Sequence, residues 1–421
     1  MSATPSIWFQ LRGMTPSQWR AFLAAYLGWT LDAFDFFLLV MVVRHIAGDF
    51  HTEIKGVTYA IFLTLAMRPI GALVFGLAAD RYGRRPVLMA SILFYATMEL
   101  SSAFAPTLGS LLVLRALFGI GMGGEWGVGA SLAMESVPAQ TRGVLSGILQ
   151  QGYPVGYLLA ALAYKMVFPH FGWRGMFIAG FVPALVVLFI RAGVEESPVW
   201  LAQQAQRNQS TGPPEPGIGA VICANWKLFL YMVALMTAFN FFSHGTQDLY
   251  PSAFLENQRH LPNATVGTVV IIYNLGALLG GILFGLFSQH IGRRRAIIIA
   301  SLLALPVIPL WLGATSAAGL ALGAFLMQFA VQGAWGVVPA HLNELSPAAV
   351  RGTFPGFTYQ LGNLLASGNA TLQATLAVRH GGNYAFAMGW VVGVVAIMLA
   401  LLAWLGPEAR DAPLTANKNL F

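Results

Sequence analysis

Long apolar stretches alternate along the chain with short connectors that carry most of the charge. Apolar segments fall near 20–42, 57–79, 87–105, 108–133, 144–166 and 174–192. After a more polar gap they resume near 225–250, 266–289, 296–313, 318–340, 353–376 and 383–405. A helix needs about 20 apolar residues to cross roughly 30 Å of hydrocarbon, so the pattern predicts an all-α integral membrane protein with twelve spans. Several spans are rich in glycine, as expected where membrane helices approach closely. The gap, 193–224, holds Glu195, Glu196 and the run Thr211-Gly-Pro-Pro-Glu-Pro-Gly217. It reads as a cytoplasmic linker between an N-terminal six-helix half, 1–192, and a C-terminal six-helix half, 225–421.

The halves repeat at a constant offset of 209 residues. Gly76, Gly83, Arg84 and Arg85 map onto Gly285, Gly292, Arg293 and Arg294. Gly124-Glu-Trp126-Gly127 maps onto Gly333-Ala-Trp335-Gly336, and Glu135-x-x-Pro138-x-x-x-Arg142-Gly143 onto Glu344-x-x-Pro347-x-x-x-Arg351-Gly352. Two parallel six-helix halves with a site between them near mid-membrane is the plan of a rocking transporter.

Composition removes several classes. Of 421 residues 57% are hydrophobic and 9% charged, with a mean hydropathy of +0.67; soluble domains carry about 25% charged residues. The net charge of +7 lies in the connectors, so it reports topology and not nucleic-acid binding. Placing both termini in the cytoplasm of a cell-membrane protein puts fifteen Lys and Arg residues inside, from Arg12 to Lys418, and six outside, namely Arg44, Lys55, Lys165, Arg174, Arg259 and Arg379. That asymmetry satisfies the positive-inside rule. A lone Cys223 excludes an intramolecular disulfide, and eight scattered histidines show no metal-ligand spacing. No enzyme, cofactor or metal is expected, and a monomer is.

The segment Gly76-x-x-x-Asp80-Arg81-x-Gly83-Arg84-Arg85 resembles the loop motif between helices 2 and 3 of the major facilitator superfamily. The resemblance covers essentially the whole chain. It implies that Asp80, Arg84, Glu135 and Arg142 form a cytoplasmic charge relay locking an outward-open state. In the second half Gln289 replaces the acid, so no charge interaction is expected there.

The most informative stretch runs from Asn240 to Ser252. Asn240, His244, Gln247, Asp248 and Pro251 fall at i, i+4, i+7, i+8 and i+11 of an otherwise apolar segment and share one helical face. Ionisable groups inside lipid cost about 2.5–3.5 kcal/mol each on insertion scales, so they mark sites or pathways. A His–Asp pair at i, i+4 can hold or release a proton near neutral pH. The stretch Asn-x-x-Ser243-His-x-x-Gln-Asp-x-Tyr250-Pro also resembles the helix-7 signature of lactate and pyruvate permeases in the sialate:proton symporter family. That resemblance implies proton-coupled symport of short monocarboxylates. Proton symport of sialate, a dicarboxylate or an aromatic acid, and a non-transporting sensor on the same fold, remain the alternatives.

Other spans supply the remaining candidates. Arg68 lies mid-span, where an always-charged guanidinium needs an anion; its planar fork suits a carboxylate. It is either a substrate clamp or the partner of Asp32, Asp35 or Glu125. Asp32 and Asp35 are candidate proton carriers or charge-balancing groups, and the 209 offset sets Asp35 opposite His244. Glu125 is either a coupling residue or the partner of Arg115, and Glu99 has no assigned role. Gln151 and Gln360 are related by the offset; Gln360 and Asn363, three apart, are expected to converge on one ligand, with Tyr153 nearby.

Overall fold

The computed structural model describes residues 7–209 and 218–414. The middle of the expected linker and Lys418 lie outside the described residues. The chain order opens with a short helix α1 (Ile7–Arg12) and continues with α2 (Pro16–Asp49), α3 (Ile54–Tyr82), α4 (Arg84–Ala103) and α5 (Leu108–Ser136). Next come α6 (Arg142–Gln150), α7 (Gly152–Ala192), α8 (Pro198–Gln209) and α9 (Ile218–Ala224). The remainder is α10 (Trp226–Gln247), α11 (Asn263–Ile291), α12 (Arg293–Gly313), α13 (Ala317–Leu345), α14 (Phe354–Ala366), α15 (Asn369–Arg379) and α16 (Tyr384–Leu405).

Ten stretches among the described residues are long and apolar enough to cross a membrane. One of them, Ala139–Ala192, has 54 residues, about 80 Å of helix and more than twice the thickness of the hydrocarbon. It reverses at Gly172, where φ is 61°, a left-handed conformation that glycine adopts without a Cβ clash. That stretch is two spans. A further span is α14 followed by α15, 13 and 11 residues long and broken at Ser367 and Gly368. The expected twelve crossings are therefore present, and the chain is a multi-pass membrane protein.

The repeat extends to individual contacts. A Cβ on Gly71 would lie 1.8 Å from the Ile120 carbonyl oxygen, and one on Gly280 would lie 2.1 Å from that of Phe329. Both pairs are related by 209, and in each half this glycine lets the second and fourth spans touch backbone to backbone. Likewise Arg84 binds Glu135 at 3.1 Å, and its equivalent Arg293 binds Glu344 at 2.9 Å.

The two halves are closed on each other at the end that holds Asp80 and Arg84, and the opposite end holds Asp49 and Trp173. At the closed end Asp80 accepts hydrogen bonds across the boundary from the amides of Gly352 (2.7 Å) and Thr353 (3.1 Å) and from the Thr353 hydroxyl (2.7 Å). Gln289, standing where the first half has that acid, accepts from the Gly143 amide at 3.0 Å. The amide keeps the acceptor role and omits the charge.

Candidate functional site

A cavity lies between the halves. Its walls come from α2, α3, α6 and α7 on one side and α10, α13 and α14 on the other. Arg68, Tyr153, Asn240, His244, Gln247 and Asn363, all singled out from the sequence, line it.

Each of these side chains is set by its helix. Asn240 caps its own turn, its Nδ2 donating to the Met236 carbonyl at 2.8 Å. Gln247 Nε2 donates to Gln328 Oε1 on α13 at 2.9 Å, and Gln328 Nε2 donates to the Thr246 hydroxyl at 3.0 Å. His244 Nδ1 lies 3.2 Å from Asp248 Oδ1, and the two side chains stay 36% and 39% accessible through the cavity. That accessibility lets protons reach a pair that would otherwise be sealed in the protein interior. α10 ends at Gln247, and a π-helical turn, Tyr250–Gln258, follows. Such turns recur at functional sites. Tyr250 anchors this turn, stacking on Trp311 at 5.1 Å between ring centroids.

Arg68 is 4% exposed, with Nη2 2.6 Å from the Met122 sulfur and the guanidinium 5.3 Å from the centroid of Phe36. Its Nε has no hydrogen-bond partner, and no carboxylate among the described residues lies within ion-pair distance. Its contacts are a thioether and a ring, and Asp32 acts on it only through space, without forming an ion pair. Of the two sequence-based readings, the permanent pair with Asp32, Asp35 or Glu125 is not formed. A free anion can take that place.

The candidate acids turn away from the cavity. Glu125 is bound by Arg191, with distances of 3.1 and 2.5 Å, and not by Arg115. Arg115 instead pairs with Glu99 at 2.6 Å and sits over Phe118 and Phe177. This gives Glu99 its role and corrects the expected Glu125–Arg115 pair. Arg115 and Arg191 each take the acid that their own helix crossing brings alongside, whatever the spacing in sequence. Asp35 is fully buried within the first half, with both carboxylate oxygens unpartnered beside Glu99 and Gly180, so it does not face the cavity as His244 does. Asp32 is buried near Arg68 and Glu125 with Oδ1 unpartnered, and it does not line the cavity either.

Two amide assignments also change. Gln151 Nε2 donates to the Gly147 carbonyl at 3.1 Å and packs against Gly281, in a helix–helix contact. Gln360 is 2% exposed and does not line the cavity, so it does not converge with Asn363. The cavity is lined one residue earlier by Gln150 and Tyr359, which are also related by 209. One residue is 100° of helix, and the offset favoured the wrong pair because its chemistry is identical in both halves. Trp29, Gln332 and Trp335 were also missed as lining residues. The indole N–H groups of Trp29 and Trp335 lack acceptors. Trp126 and Trp335 are mapped onto each other by the repeat, and both contact Tyr359, at 4.5 and 5.8 Å. That mapping was the available signal.

At the closed end the expected relay is altered. Arg84 binds Asp80 at 2.9 Å and Glu135 at 3.1 Å. Arg142 does not join them: its Nε donates to the Met134 carbonyl and its Nη1 to the Ala412 carbonyl, both at 3.0 Å. Arg351 of the other half is the second cation at Glu135, 3.9 Å away. Arg351 also donates to the Leu414 carbonyl at 2.5 Å, so the segment after α16 lies across both repeat-related arginines. Close packing of the two halves brings the partner half's arginine nearer than the one on the same motif.

The family model for "Sugar (and other) transporter" matches residues 4–212 and 222–410. A carboxylic acid transporter protein homolog of Saccharomyces cerevisiae is 30% identical over 88% of this chain, which spans 63% of that longer protein. The sialic acid transporter NanX of Escherichia coli K12 is 29% identical, with 93% of this chain and 95% of NanX covered. Among solved structures, the proton:xylose symporter XylE of the major facilitator superfamily aligns with a TM-score of 0.74 at 19% identity, covering 94% of this chain and 98% of that one.

Proposed function

The chain belongs to the sugar (and other) transporter family, whose members are secondary transporters of the major facilitator superfamily, and on that premise we propose that it carries a monocarboxylate such as lactate or pyruvate together with a proton. The observation that supports this reading most is a buried Arg68 without an ion-pair partner among the described residues, on the same cavity lining as His244 of the His244–Asp248 pair. The two relatives named for carboxylic and sialic acids agree with an acidic substrate.

Charge counting gives the coupling a physical basis. With Arg68 cationic, Asp248 anionic and His244 neutral, the empty site carries no net charge. Adding a carboxylate and a proton on the His–Asp pair restores zero. Binding either one alone leaves a unit charge inside the bilayer, which is costly. Reorientation is therefore favoured for the empty and the doubly loaded carrier. Asn240, Gln247 and Asn363 supply neutral donors and acceptors for an α-hydroxyl or keto oxygen. Asp35, Asp32 and Glu125, set inside the first half, would act on the coupling only through neighbouring groups. With the Asp80 end in the cytoplasm, as the charge asymmetry of the connectors favours, the closed end faces inward and the lining residues Thr58 and Ile61, near the start of α3, lie toward the outer side.

The test uses purified protein in liposomes loaded with a pH-sensitive dye. External L-lactate should acidify the interior without an imposed potential, and Arg68→Ala and His244→Ala should each abolish the signal. Undiminished uphill uptake by His244→Ala would overturn the proton role. A response to sialate or a dicarboxylate but not to lactate would overturn the substrate.

A further inference from the structure

A second cavity adjoins the first and shares Leu65, His244 and Asn363 with it. One wall is an apolar strip of α3, formed by Ile61, Phe62, Leu65 and Ala66; Leu364 and Ala366 of α14 face it. Among the described residues, the ionisable groups lining it are His244 and Asp248, along one edge. A lactate-sized acid held at Arg68 would leave this space to water. We propose that this second cavity is an apolar compartment of the substrate site, taking the hydrocarbon body of a carboxylate longer than lactate whose head group binds Arg68. The proposal rests on the transporter reading above and names the class of acid the site prefers: a monocarboxylate with an uncharged alkyl or planar unsaturated body.

The adjacency of the two spaces, with Leu65, His244 and Asn363 on both linings, is what points to the occupant. A carboxylate anchored at Arg68 directs the rest of its molecule either toward the rings of Trp29 and Tyr359 or past Leu65 into the second cavity. Burying apolar chain against Ile61, Phe62 and Leu364 removes it from water, with a gain of about fourfold in affinity per methylene. A second carboxylate at the far end of the body would instead meet the carboxylate of Asp248, so dicarboxylates of equal length are disfavoured.

The test is a binding series on the purified protein, read by quenching of its tryptophan fluorescence, which does not require transport. Acetate, butyrate, hexanoate, octanoate, benzoate and adipate are titrated at one pH. Affinity should rise about threefold to fourfold per methylene from butyrate to octanoate, with adipate weaker than hexanoate. Ala66→Phe, or Leu364→Trp from the opposite wall, should erase the chain-length gain while leaving acetate within about twofold. Equal affinities along the series would overturn the proposal and make the second cavity an aqueous vestibule. Equal losses for acetate and octanoate in both filled variants would overturn it too, as would octanoate binding that survives Arg68→Ala, since that places the ligand in detergent or lipid. A normal chain-length series with no proton movement in liposomes would keep the compartment and reject symport.

Discussion

At the scale of single residues, Arg115 and Arg191 are neutralised inside the first half, whereas Arg68 forms no ion pair among the described residues. Arg115 with Glu99, and Arg191 with Glu125, are buried ion pairs within the first half. Breaking a buried pair costs about 3–5 kcal/mol, and the cost should be lopsided. A lone carboxyl can take up a proton, whereas a lone guanidinium keeps its charge. Glu99→Leu should therefore lower the thermal unfolding temperature in detergent more than Arg115→Met, and the double variant should recover much of the loss. Equal effects of the two single changes would refute this asymmetry. Arg68 has no such partner, so Arg68→Lys should leave stability nearly unchanged while weakening carboxylate binding about tenfold or more, because the planar fork is lost. A large stability loss in Arg68→Lys would show that the residue is structural after all.

At the scale of elements, the site sits where helices are interrupted. α10 gives way to a π-helical turn after Gln247, and the break between α14 and α15 faces it, with Gln373 Nε2 donating to the Gly245 carbonyl at 2.9 Å. Irregular backbone at membrane depth is tolerated where it lines a cavity or is covered by protein. At the closed end the limit is contact between backbones. A Cβ on Gly127 of α5 would lie 2.4 Å from the Gly356 Cα of α14, across the boundary between halves. Gly127→Leu should wedge this end apart and shift the carrier toward the state open at Asp80. Spin-label distances across the closed end should lengthen; distances matching the wild type would show that the helices yield elsewhere.

At the scale of the whole molecule, the closed end is held by a few cross-boundary groups. Asp80 makes three hydrogen bonds to Gly352 and Thr353, and a hydrogen bond to a charged group is worth about 1.5–3 kcal/mol. Asp80→Ala should shift the equilibrium away from closure by roughly thirtyfold or more, and Asp80→Asn, which retains an acceptor as Gln289 does, by less. Truncation after Glu408 should act in the same direction, because it removes the carbonyls of Ala412 and Leu414 that Arg142 and Arg351 bind. Alkylation of a cysteine placed in the cavity, applied from the Asp80 side, would measure both; no gain in labelling would discount these contacts as a lock.

By itself the sequence determined the number of spans, the two-half repeat, the helix-7 stripe and the presence of an arginine in mid-span, because apolar length and helical period are local properties of the chain. Asn240, His244 and Gln247 reached the cavity as their spacing required. Only the tertiary structure decided which acid each buried arginine took, why Gln150 and Tyr359 line the cavity in place of Gln151 and Gln360, and how Arg351 came to Glu135 in place of Arg142. Those outcomes depend on how helices from distant parts of the chain rotate and cross. A rotation of 100° separates adjacent residues, and neither span length nor periodicity fixes that angle.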